Sequence, residues 1–103
     1  MTVHIKIPKK DLGAFCRRWQ IKELSLFGSV LRDDFRPDSD VDVLVRFDPE
    51  ARRTLFDLAR MQDELQQILG RNVDLVSRRG IEMSRNYLRR SAILNSAEVV
   101  YGT

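Results

Sequence analysis

The stretch Asp40-Val41-Asp42-Val43-Leu44-Val45 constrains this chain more than any other. Side chains alternate across a strand, so Asp40 and Asp42 share one face while Val41, Val43 and Val45 share the other. A strand with one such apolar face needs a layer to cover it, and the carboxylates then project together from the opposite side. Two neighbouring carboxylates repel and raise each other's pKa, a cost that proteins usually tolerate where a cation resides. A D-x-D-x-D calcium loop beginning at Asp38 is excluded, because its sixth position is Val43 rather than Gly and its twelfth is Pro49 rather than Glu.

The surrounding pattern supplies the rest of a small α/β (α+β) domain. Leu12, Phe15, Cys16 and Trp19 recur at helical spacing within Lys9 to Trp19. Glu23 to Phe27 alternates as a strand and stops at Gly28, after which Ser29 is placed to cap a brief helix containing Val30, Leu31 and Arg32. The turn residues around Pro37 deliver the chain into the Asp40–Phe47 strand. Thr54 with Asp57 gives a capping-box start to a helix through Leu69, its buried stripe drawn from Leu55, Leu58, Ala59, Leu65, Ile68 and Leu69, with Gly70 as a left-handed stop. Asn72 to Ser77 reads as a third strand, Ile81 to about Ala97 as a helix with Met83, Tyr87, Leu88 and Leu94 toward the core, and Glu98 to Tyr101 as a fourth strand.

Asp74 repeats the motif of a carboxylate inside a strand, between Val73 and Leu75. Beside the second strand it completes a triad with Asp40 and Asp42, whose hard oxygens suit Mg²⁺ or Mn²⁺. Such a triad can hold two ions about 3.5–4 Å apart. Gly28 permits close backbone approach, the Ser29 hydroxyl and nearby N–H groups offer an anion site, and Arg32 is a candidate phosphate contact. His4 stands alone, so no zinc cluster is available, and Cys16 lies on an apolar helix face as a core residue.

Joined in this order, Gly28-Ser29, Arg32, Ser39-Asp40-x-Asp42 and Asp74 resemble the minimal nucleotidyltransferase (MNT) branch of the DNA polymerase β superfamily. The resemblance covers nearly the whole chain; Asp33 departs from it, standing where many members carry Gly. It implies a polymerase-β-like fold with a mixed sheet of about four strands, helices packed on one face and the metal site on the other. It further implies ATP as donor, Ser39 joining Gly28, Ser29 and Arg32 around the nucleotide phosphates, and a HEPN-type RNase toxin whose tyrosine receives AMP, the chain acting as its antitoxin. An alternative is a non-catalytic antitoxin that neutralises its partner by occlusion.

Length and charge set the outer bounds. The 103 residues fit one nucleotidyltransferase domain, 1–103. No apolar stretch is long enough to cross a membrane, no secretory h-region opens the chain, and the single cysteine forms no internal disulfide, which together place the protein in the cytoplasm. The net charge of +3 hints at an anionic partner, yet acidic and basic residues are interleaved, so nucleic acid is not expected as a direct ligand. Arg78, Arg79, Arg85, Arg89 and Arg90 form a candidate basic face beside the third strand.

Overall fold

The computed structural model describes residues 7–31, 36 and 39–102. Its elements run α1 (Lys9–Arg18), β1 (Ile21–Phe27), a 3₁₀ turn (Gly28–Leu31), β2 (Val41–Phe47), α2 (Leu55–Leu69), β3 (Val73–Ser77), α3 (Arg78–Glu82), α4 (Tyr87–Ser96) and β4 (Glu98–Tyr101). They form a mixed sheet in the order β3-β2-β1-β4, with β1 antiparallel to β2 and β4, and β2 parallel to β3. This is the four-stranded mixed sheet expected from the sequence.

Parity along the strands decides which layer covers which face. Val41, Val43 and Val45 of β2, with Leu24 and Leu26 of β1 and Val73 and Leu75 of β3, pack against Leu12, Phe15 and Cys16 of α1 and Met61 and Leu65 of α2. Ile21 joins the same core although it lies an odd number of residues from Leu24, and the irregularity between Ile21 and Glu23 makes that possible. A bulge there shifts the pleat by one and turns Glu23 to the other face, opposite Arg46. Helices cover the main face as expected, and the second face is not left bare. Phe27, Leu44 and Val76 gather Ile81 from α3 and Ile93 and Leu94 from α4 into a smaller cluster.

The ends of α2 follow their sequence signals. The Thr54 side chain accepts from Asp57 N–H at 3.2 Å while the Asp57 carboxylate accepts from Thr54 N–H at 3.1 Å. Gly70 ends the helix at φ 66°, a left-handed conformation that costs glycine little. Met61, absent from the expected stripe, is fully buried, whereas Leu55 is 83% exposed and Ala59 is also exposed. Leu55 is the first residue of the helix.

The expected helix from Ile81 to Ala97 is two helices. The chain breaks at Met83–Asn86, where Asn86 caps α4 by accepting from Arg89 N–H at 3.1 Å. The break moves the apolar phase: Ile93 becomes the buried residue, and Met83, Tyr87 and Leu88 are 72%, 64% and 79% exposed instead of core. No helix among the described residues is long and apolar enough to cross a membrane.

Two outcomes follow from this packing. Met61→Ala should cost about 2–5 kcal/mol of unfolding free energy in denaturant titration, since a fully buried methionine leaves a cavity. The Cys16 thiol is pushed up to about 12 by burial, against a smaller opposing effect of Arg17. It should therefore resist a thiol reagent at pH 8 in the native protein and react fully once the chain is unfolded, as read by the absorbance of released chromophore.

Candidate active site

Asp42 stands on β2 between Val41 and Val43, whose burial in the main core fixes the strand's pleat and sends the Asp42 side chain to the second face. The parallel register then pairs Asp42 with Asp74 of β3. Neighbouring strands lie about 4.8 Å apart, so two carboxylates emerge side by side. Asp40 precedes the strand at its mouth, where Val41 N–H donates to the Asn72 carbonyl at 2.9 Å and closes β2 onto β3.

The electrostatic consequence falls on Asp42. Its carboxyl is raised above the ordinary aspartate value by burial, then by the charges of Asp74 and Asp40, with Arg89 of α4 working in the opposite direction. A site that penalises its own negative charge in this way suits a cation, and the donors gathered here are hard carboxylate oxygens of the kind Mg²⁺ or Mn²⁺ accepts. Among the described residues the acids do not close into a preformed three-ligand cage. Like-charge repulsion opposes that closure, and a divalent ion supplies the attraction that would draw the three together.

Gly28 brings backbone to the same point. It follows β1, pairs through Phe27 with Asp42, and has φ 76°. A Cβ built on Gly28 would collide with the Asp42 carboxylate, its Cγ lying 3.3 Å away. Only glycine lets the chain turn this close to the acids. The turn is held in place by Val30, fully buried in the main core. Ser39, half-buried just before Asp40, accepts from Arg36 N–H at 3.3 Å and returns its own N–H to the Arg36 carbonyl at 3.0 Å.

The structure thus brings Gly28, Asp42 and Asp74 together, sets Asp40 within electrostatic reach, and places Ser39 one residue ahead of Asp40. Ser29 lies in the 3₁₀ turn. The Ser29 hydroxyl and Arg32 lie outside the described residues. Sequence reasoning missed Gln62 and Gln66. From α2, their side-chain carbonyls accept from Leu75 N–H and Val73 N–H at 3.1 Å each, satisfying the outer edge of β3 on both sides of Asp74. Their i, i+4 spacing on the helix before an edge strand was the available signal.

The chain matches the family described as nucleotidyltransferase domain over residues 9–100. It is 35% identical over 82 residues to the protein adenylyltransferase MntA of Thermococcus cleftensis, covering 80% of this chain and 74% of that one. A solved structure assigned as a minimal nucleotidyltransferase superposes with a TM-score of 0.66 at 37% identity, covering 86% of this chain and 85% of that one. A complex of the tri-AMPylated Shewanella oneidensis HEPN toxin with its MNT antitoxin matches at a TM-score of 0.62 and 18% identity, over 92% and 70% of the two chains, a likeness of fold.

Gly28→Ala should destabilise the protein by about 1–2 kcal/mol through its left-handed backbone alone, and by more through the collision with Asp42. Adding Asp42→Ala to Gly28→Ala should recover part of the loss, a coupling read from a double-mutant cycle of denaturant unfolding. Strict additivity would mean that the two residues do not meet. Asp42→Asn alone should leave the metal-free melting temperature equal or higher, because it removes a charge held among other acids.

Proposed function

This chain belongs to the nucleotidyltransferase domain family, and we propose that it is a metal-dependent protein adenylyltransferase. In this reading it transfers AMP from ATP to a tyrosine hydroxyl of a HEPN-type RNase toxin in the cytoplasm, and so serves as that toxin's antitoxin. The pairing of Asp42 with Asp74 beneath the Gly28 backbone carries the proposal. Likeness to an MntA protein adenylyltransferase supports the protein acceptor, and the fold shared with an MNT antitoxin bound to an AMPylated HEPN toxin supports the partner.

The chain's own contribution is positioning and electrostatics, which dominate phosphoryl and nucleotidyl transfer. Asp40, Asp42 and Asp74 would hold Mg²⁺ or Mn²⁺, two ions in all, which when bound neutralise phosphate charge and polarise the transferred group. Gly28 clears space so that a triphosphate can approach the turn's backbone, with Ser29, Arg32 and Ser39 as its further contacts. Asp74, exposed beside Asp42, would also take the proton of the incoming hydroxyl. Arg89 offsets part of the charge of Asp42 and would be a further candidate contact for a phosphate there.

Co-expression with the cognate toxin tests this reading. Wild type should protect cells and add to the toxin a mass equal to one or more AMP units, whereas an Asp40→Asn, Asp42→Asn variant should still co-purify with the toxin, add no mass and fail to protect. Protection by both proteins with no mass change in either would overturn the enzymatic reading and establish neutralisation by occlusion. In a thermal shift assay Mg²⁺ with ATP should raise the melting temperature of the wild type by mass action and move Asp42→Asn much less.

A further inference from the structure

A cavity of about 650 Å³ lies at the opposite end of β2 and β3 from the carboxylates, between the β2–α2 connection and α3. Arg46, Arg52, Arg53, Arg78 and Arg79 line it, against two acidic residues, Asp48 and Glu82. Arg46 lies four positions beyond Asp42 on β2, about 13 Å along an extended strand. The two regions are therefore distinct, one acidic and one basic, on the same sheet.

The arginines are not used up by the fold. Arg46 and Arg78 share the single carboxylate of Glu23, each at 3.6 Å, beyond ordinary hydrogen-bond length. Arg78 also lies 3.9 Å from Glu82. The Arg46 Nε is buried and has no hydrogen-bond partner among the described residues, an orphan donor of the kind that folded proteins seldom leave unmatched. Arg53 is held in place by neutral groups: it donates to the Trp19 carbonyl at 2.7 Å and to Gln20 at 3.1 Å, and stacks over the Trp19 ring at 5.1 Å. Its positive charge is thus fixed at the cavity wall, and among the described residues no carboxylate forms an ion pair with it. Arg52 and Arg79 form no ion pair among the described residues and are exposed.

We propose that this cavity is a second anion site that takes the polyphosphate group of a nucleotide or a free polyphosphate. Guanidinium groups bind phosphate oxygens, and the positive charge of Arg53, held in place by Trp19 and Gln20, stands with exposed Arg52 and Arg79 around a space of the size that small-molecule sites occupy. Binding here needs no divalent cation, whereas phosphate binding among the carboxylates of the proposed transfer site would.

That difference gives the test. Calorimetric titration with tripolyphosphate and with ATP is performed in excess EDTA at near-physiological salt. Saturable binding of one anion per chain is expected, unchanged in Asp42→Asn and weakened at least tenfold in an Arg52→Ala, Arg79→Ala variant whose melting temperature matches wild type. Tighter binding of ATP than of tripolyphosphate would identify a nucleotide as the ligand, and equal binding a free polyphosphate. The proposal is overturned if the wild type shows no saturable binding in EDTA, if sulfate at equal concentration binds as well, or if the affinity is lost in Asp42→Asn and kept in the arginine variant. None of these results depends on whether the toxin is modified.

Discussion

The parallel pairing of β2 with β3 is the constraint on which the rest of the structure depends. It alone places Asp74 beside Asp42, and parallel neighbours require a crossover connection. Here α2 provides it: a 15-residue helix spans about 22 Å, which matches the roughly 23 Å that a seven-residue strand must be retraced to begin again at the same end. The crossover also guards the pair it creates. Gln62 and Gln66 reach from α2 to the free edge of β3, so one helix returns the chain, buries the valine face and fixes the backbone around the second acid.

The second face of the sheet is zoned along the strands. Asp42 and Asp74 occupy one end with Phe27 beside them; Leu44 and Val76, covered with Phe27 by Ile81 and Ile93, form an apolar belt in the middle; Glu23, Arg46 and Arg78 occupy the other. The belt keeps opposite charges about four residues apart that would otherwise neutralise one another. The bulge between Ile21 and Glu23 is part of this division, since it lets Ile21 turn into the main core while Glu23 stays on the second face opposite Arg46.

Much of this was legible in the residues because the signals were local. The alternation of acids and valines over 40–45, the Thr54–Asp57 capping box and the Gly70 stop each specify structure within a few positions, and each is found as read. Gly28 was legible as a place where backbone is approached closely, but by a phosphate; the group that the structure sets against it is the Asp42 carboxylate. What was not legible depended on distant chain. Met61 is core and Leu55 is not, because the depth of a helix against a sheet is set by the partner layer rather than by the helix's own periodicity. The break before Asn86 reverses which side of the last helix is buried, so a continuous reading put Tyr87 and Leu88 inside. Gln62 and Gln66 went unnoticed as polar surface residues, since their role exists only once β3 is an edge.

The antiparallel union of β1 with β4 has a consequence for the order of events as the chain is made. The carboxylate pair needs only residues up to Ser77, whereas the strand that covers the other side of β1 is drawn from 98–101 and joins Leu24 to Tyr101 across nearly the whole sequence. Until that last segment arrives, the backbone edge of β1 stays open while its neighbours are already in place. This strand is short and none of its residues is fully buried. The acidic pair is therefore specified before the sheet is closed along the far side of β1.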